Sequence, residues 1–139
     1  MTDFNAGIVD EFRANHGRVG GPFQGAPLLL LHHNGRRSGT SYVSPMMYLP
    51  DEHDPATVYV FASKAGAPTD PDWYRNITMA GWARVEVGDE QHDVTVRDLT
   101  GSERDERYAE QAALYPGFAE YAEKTAGIRT IPVVALTRV

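Results

Sequence analysis

Apolar residues recur along this chain with changing period, and each change marks an element. Phe4, Ile8 and Phe12 fall four apart, predicting a helix over residues 3 to 16, capped by Thr2 or Asp3 and ended at Gly17. Residues 17 to 27 hold four glycines and two prolines and read as a loop. Leu28 to His33 is a continuous apolar run of strand length. Asn34 to Gly39 is a turn, and Thr40 to Leu49 the return strand, in which Pro45 marks a bulge or an edge. After an acidic loop, Thr57 to Ser63 is a β-branched and aromatic strand. Asp70 can cap a helix that has Pro71 at its first position and runs to Ala80, with Gly81 closing it. Ala83 to Val87 and Gln91 to Leu99 form a hairpin about Gly88-Asp89. Thr100 and Glu103 have the spacing of a capping box for a helix ending near Leu114. Pro116-Gly117 breaks it, a short helix covers Phe118 to Thr125, and Ile131 to Thr137 is the last strand.

Six strands joined mostly by hairpins, with helices that do not alternate with them, predict an α+β fold. Its centre is a six-stranded antiparallel barrel with peripheral helices. At 139 residues the chain reads as one domain, 1–139. The N-terminal residues have neither a basic nor an apolar leader region, and no apolar run approaches the roughly 20 residues of a membrane span. The absence of cysteine removes thiolate catalysis, disulfides and zinc–thiolate sites. The expectation is a cytoplasmic protein with no integral span, with peripheral association at a membrane left open.

The net charge of −6 disfavours nucleic acid as a partner. That charge is unevenly distributed. Residues 12 to 50 contain Arg13, Arg18, Arg36 and Arg37 and no acidic residue, a stretch compatible with an anionic ligand. No G-x-G-x-x-G follows a strand, no Walker lysine or G-x-S-x-G elbow is present, and the five histidines show no ligand spacing. His32 and His33 are adjacent on a strand and so point to opposite faces, and no metal site is expected.

Three segments remain. Gly35-Arg36-Arg37-Ser38-Gly39 joins two guanidiniums and a hydroxyl to glycines that can turn backbone N–H groups toward an anion. Phe61-Ala62-Ser63-Lys64 ends a buried strand in one of only two lysines. Asp72-Trp73-Tyr74-Arg75-Asn76 opens a helix, whose N-terminus favours anions and whose aromatic residues can flank a ring. With Val43-Ser44-Pro45, Tyr115-Pro116-Gly117-Phe118-Ala119-Glu120-Tyr121 and Arg129-Thr130-Ile131-Pro132-Val133-Val134, this series resembles the deazaflavin-dependent nitroreductase and quinone reductase family. Members of that family use reduced coenzyme F420 in a split β-barrel related to the FMN-binding barrels.

The resemblance covers nearly the whole chain and implies site residues. Arg36, Arg37 and Ser38 would hold the phosphate and oligoglutamate tail. Tyr42, Val43, Ser44, Pro45, Met46 and Met47 would run beside the ring and ribityl chain. Phe61, Ala62, Ser63 and Lys64 would approach the ring, and Asp72, Trp73, Tyr74, Arg75 and Asn76 would complete the pocket. Tyr115, Phe118 and Tyr121 would cover the substrate side. Tyr42 stands where a basic residue is common, and Phe118 where some members have tyrosine, which removes a hydrogen bond useful for nitro compounds. The implied activity is hydride transfer from reduced F420 to a small organic acceptor such as a quinone or nitroaromatic, in a monomer or homodimer. An FMN-binding barrel, or a non-catalytic binder of lipid or haem, are the alternatives.

Overall fold

The computed structural model describes residues 3–20 and 25–139, with side chains from Ala6 onward. Helix α1 (Asp3–Ala14) precedes the hairpin of β1 (Leu28–Asn34) and β2 (Ser41–Pro50). Strand β3 (Thr57–Phe61), a single 3-10 turn (Lys64–Gly66) and helix α2 (Asp72–Ala80) come next. The second hairpin, β4 (Trp82–Val87) and β5 (Glu90–Asp98), leads into α3 (Gly101–Leu114), α4 (Gly117–Thr125) and β6 (Val133–Arg138). The strands close a barrel in the order β1-β2-β3-β6-β5-β4, every pair antiparallel.

Strand parity decides where each apolar residue goes. In β1, Leu29 and Leu31 fill the barrel interior with Val60, Val85, Val94, Val134 and Leu136. Leu28 and Leu30 point the other way, against Ile8, Val9 and Phe12 of α1. A strand covered on both faces reads as an unbroken apolar run, hence the four leucines. The outer faces of β3 and β6 present Tyr59, Phe61, Val133 and Ala135 to α3 and α4, where they pack with Leu99, Tyr108, Phe118 and Ile131. Helix α2 lies across one end of the barrel, with Ile77 in the interior cluster and Trp73 and Tyr74 packed against it.

The closed barrel has one of its two shortest ladders between β2 and β3. Strand β2 pairs with β1 from Ser41 to Met47, but meets β3 only at Tyr48, Leu49 and Pro50. The missing N–H of Pro45 therefore falls where β2 is an edge, as a strand proline requires.

Two capping expectations are corrected by tertiary partners. Pro71, not Asp70, takes the cap position of α2, and Asp70 instead accepts from Arg129 Nη1 at 2.9 Å. Thr100 makes no side-chain cap bond, and Glu103 pairs with both terminal nitrogens of Arg97 at 2.7 and 3.0 Å. In each case a guanidinium offers a charge-assisted bond stronger than a neutral helix N–H can give. The cap expected for α1 lies outside the described residues. Arg13, one of the four arginines of the acid-free stretch, reaches Glu86 at 3.3 and 2.9 Å. His32 meets the same carboxylate at 2.6 Å, so this pairing pins α1 to the barrel.

Candidate functional site

The β1–β2 turn and the first turn of α2 face each other across a cavity of about 440 Å³. The hairpin contributes His33, Gly35, Arg36, Arg37, Ser38, Tyr42 and Ser44, and α2 contributes Asp72, Trp73 and Asn76. The size falls inside the roughly 300–1,000 Å³ range of small-molecule sites.

The turn holds its own shape. Gly35 N–H donates to Thr40 O, Gly39 N–H to Gly35 O, and Thr40 N–H to Ser38 Oγ. The glycine N–H groups are thus consumed by the turn. Those of Arg37 and Ser38 donate to no protein atom among the described residues.

The two arginines differ. Arg36 is half-buried and fixed: its N–H and Nη1 donate to Asn76 Oδ1 at 3.1 and 3.0 Å, and its guanidinium lies 3.4 Å from Asp72. Arg37 is exposed and, among the described residues, has no carboxylate partner.

Behind the turn sits a buried polar relay. His33 Nε2 lies 2.9 Å from Ser44 Oγ, and its Nδ1 lies 3.1 Å from Asn76 Nδ2. Its ring stacks on Tyr42 at 5.5 Å. Burial, and secondarily the neighbouring His32, lower the His33 pKa to about 4, so the imidazole is neutral at physiological pH.

A second group of implied residues lies beyond the cavity. Ala62 and Ser63 follow β3 into a loop gathered by one buried guanidinium. Arg129 donates to the carbonyls of Ala67 (3.0 Å), Ala62 (3.2 Å) and Ser63 (2.9 Å) as well as to Asp70. The loop carries consecutive non-glycine residues at positive φ, Lys64 at 47° and Ala65 at 52°, a conformation that persists only when its surroundings impose it. Lys64 is exposed, with Nζ 3.3 Å from Thr69 Oγ1. Helix α4 abuts this loop: a Cβ at Gly66 would stand 2.8 Å from Lys124 Cδ and 3.5 Å from Tyr121 Cα.

Tyr115 and Tyr121 are half-buried on this side, and Phe118 lies under them at 9% exposure. Its ring makes edge contacts with Phe61 (5.7 Å) and Tyr121 (5.3 Å), and its carbonyl accepts from Tyr108 Oη at 2.6 Å. Met47 touches this cluster from β2, while Val43 packs toward α1 and Met46 into the barrel interior. Tyr74 Oη donates to Asp98 at 2.6 Å, and Arg75 is exposed on α2.

The implied residues therefore form two clusters joined by the open edge of β2. The cavity unites Arg36, Arg37, Ser38, Tyr42, Ser44, Asp72, Trp73 and Asn76. Phe61 to Lys64 gather with Tyr115, Phe118 and Tyr121 at the other cluster. Val43, Pro45, Met46, Tyr74 and Arg75 line neither cluster directly. Sequence reading missed two residues. His33 was visible only as half of an adjacent pair, although strand parity places it on the face of Leu29 and Leu31. Arg129 stood in the motif Arg129 to Val134, but its partners lie 59 to 67 residues away, so its role was not legible.

Comparison with known proteins is concordant across sequence and fold. The family model for F420H(2)-dependent quinone reductase matches residues 7–138. The F420H(2)-dependent quinone reductase Rv1261c of Mycobacterium tuberculosis is 30% identical over 131 residues, covering 91% of this chain and 85% of its own length. Rv3178 of the same organism, provisionally assigned the same activity, is 31% identical over 120 residues, covering 86% of this chain and 97% of its own. A solved structure of an F420-H2 dependent reductase superposes with a TM-score of 0.68 at 33% identity, over 79% of this chain and 93% of that one. The haem storage protein HutZ of Vibrio cholerae shares the fold at a TM-score of 0.59 and 12% identity, over 94% of this chain and 87% of that one. No helix among the described residues is long and apolar enough to cross a membrane.

Proposed function

Because the chain belongs to the F420H(2)-dependent quinone reductase family, we propose that the cavity between the first hairpin and α2 grips the anionic tail of coenzyme F420, with the ring along the open edge of β2 toward Ser63 and Lys64. The chain is an F420H2-dependent oxidoreductase. The bound coenzyme supplies a hydride held on carbon, and a quinone-type acceptor takes it.

The observation that carries this reading is the donor set at the turn. Among the described residues, the Arg37 guanidinium, the N–H groups of Arg37 and Ser38, and the Ser38 hydroxyl donate to no protein acceptor, while Arg36 is held ready beside them. Guanidiniums and free backbone N–H groups suit phosphate and carboxylate oxygens. Trp73 and Tyr42 supply aromatic walls. The donors and the cavity size fit the tail of the coenzyme.

The remaining residues position and exclude. The unpaired backbone of β2 is an edge to which a planar heterocycle can hydrogen-bond, as a strand would. Arg129 fixes the strained loop so that Ser63 and Lys64 present themselves without reorganisation when the ring arrives. Tyr115, Phe118 and Tyr121 cover the acceptor side, supported by the close approach of α4 to Gly66, and exclude water from the transfer. Phe118 lies beneath Tyr115 and Tyr121 and brings no hydroxyl of its own, so a quinone suits this aromatic cover and nitro compounds are expected to be poorer acceptors. A homodimer is the assembly favoured by a relative, 33% identical, whose solved structure is a domain-swapped dimer.

Titrating the purified protein with F420 and with FMN, in low and high salt, tests the assignment. F420 should bind more tightly and weaken with salt, because Arg37 is solvent-exposed. Removing both arginines (Arg36→Ala with Arg37→Ala) should weaken F420 at least about tenfold, as the loss of one charged hydrogen bond does. Binding that ignores both salt and the arginines would refute the placement.

A further inference from the structure

The polar relay behind the cavity has a fixed direction. Arg36 has only donors, so the Asn76 atom that meets its N–H and Nη1 must be the amide oxygen. The amide nitrogen of Asn76 then faces His33 Nδ1 at 3.1 Å, and that ring nitrogen must accept. A neutral imidazole with one accepting nitrogen carries its proton on the other. Nε2–H therefore donates to Ser44 Oγ at 2.9 Å. The serine oxygen receives a hydrogen, and its own O–H is left to point elsewhere. No other protein partner of that hydroxyl occurs among the described residues, and Ser44 lines the cavity.

This polarity matters because a serine, a histidine and an asparagine in hydrogen-bonded series have the outline of a hydrolytic triad. In such a triad the histidine must accept the serine proton. Here Arg36 forces the opposite tautomer, so Ser44 is not activated as a nucleophile. It becomes the terminal donor of a chain whose first member is a cation, and such chains polarise cooperatively.

Resting on the coenzyme placement above, we propose that Ser44 is a specificity-determining donor to an oxygen of the bound deazaflavin coenzyme, and that His33 and Asn76 are positioning residues that aim its hydroxyl into the cavity. The group it meets is an acceptor, either a phosphoryl oxygen of the tail or a carbonyl or ribityl oxygen nearer the ring. A group offering only N–H is rejected, because two donors would meet.

Asn76→Asp discriminates this from a merely structural role. The carboxylate keeps the Arg36 contacts but has no N–H for His33, so the imidazole places a proton on Nδ1. With the imidazole neutral, which raising the pH of the measurement ensures, Ser44 then donates back to Nε2 or loses its orientation. Nitrogen NMR of labelled, ligand-free protein should show His33 Nδ1 unprotonated in the wild type and protonated in Asn76→Asp. F420 binding, followed by deazaflavin fluorescence, should weaken about tenfold in Ser44→Ala, the size of one charge-assisted bond. It should weaken similarly in Asn76→Asp, with no further loss in the double variant, and recover in Ser44→Thr. The phosphate-free deazaflavin riboside separates the two sources. A Ser44→Ala effect that survives with the riboside assigns the contact to the ring or ribityl chain, and one that vanishes assigns it to the phosphoryl group. A wild-type His33 protonated on Nδ1, additive losses in the double variant, or unchanged F420 affinity in Ser44→Ala would each overturn the proposal. Failure of the wild type to bind F420 at all would instead overturn the coenzyme placement, and the tautomer measurement does not depend on it.

Discussion

Arg129→Ala should be among the most damaging substitutions in this chain outside the apolar core. The guanidinium is 10% exposed and serves the carbonyls of Ala62, Ser63 and Ala67 and the carboxylate of Asp70. Bonds from a charged donor contribute about 1.5–3 kcal/mol each when taken singly, but four bonds of one side chain are not additive. Breaking a buried pair by removing one partner costs about 3–5 kcal/mol, because the survivor is left uncompensated. Truncation also frees a loop that holds Lys64 and Ala65 at φ values of 47° and 52°, conformations that cost energy unless imposed. A loss of about 4 kcal/mol is expected. With about 2.1 cal/mol/K of unfolding entropy per residue, this lowers Tm by roughly 14 °C for a chain of 139 residues. Thermal unfolding followed by circular dichroism measures it. Arg129→Lys should fall between wild type and alanine, since an ammonium cannot span four acceptors. A drop below about 3 °C for Arg129→Ala, equivalent to under 1 kcal/mol, would show that water replaces the guanidinium.

Other outcomes follow from single positions. His33 has its pKa lowered to about 4, so between pH 6.5 and 4 the unfolded chain binds more protons than the native one, and stability falls as pH is lowered through that window; His33→Gln should flatten that slope in denaturant titrations at successive pH values. Asp51, held at about 2 by the Tyr59 hydroxyl and the N–H groups of Asp54 and His53, adds stability that is present above about pH 4 and lost as pH falls toward 2, a component that Tyr59→Phe should shrink in acid unfolding curves. Gly66→Ala combines φ +80° with a 2.8 Å approach to the Lys124 side chain, and should cost at least about 1 kcal/mol and displace that side chain; an unchanged Tm would contradict the backbone strain. Phe118→Ala empties a site ringed by Phe61, Tyr108 and Tyr121 and should cost about 3–5 kcal/mol in chemical denaturation.

What could be read from the chain alone was local. The Leu28–Leu31 run, the alternation of Ala83 to Val87 and the Phe4-Ile8-Phe12 spacing each carry a period set by the backbone, so the elements and their antiparallel pairing were legible without knowing a partner. So was the turn itself at residues 35 to 39, because Asn-Gly and Ser-Gly are local signals, although its glycine N–H groups, expected to face an anion, are taken by the turn. Tertiary structure decided which charges were free. Arg13 looked available for an anion and is consumed by Glu86, 73 residues away, whereas Arg37 keeps its charge exposed. It decided the roles of Asp70 and Glu103, which sequence spacing offers to helix N-termini and which distant guanidiniums take instead. It also set the direction of the relay from Arg36 to Ser44. A histidine carries no mark of its tautomer in the sequence. Only the fold brings Arg36, Asn76 and His33 together, so only the fold chooses which nitrogen holds the proton.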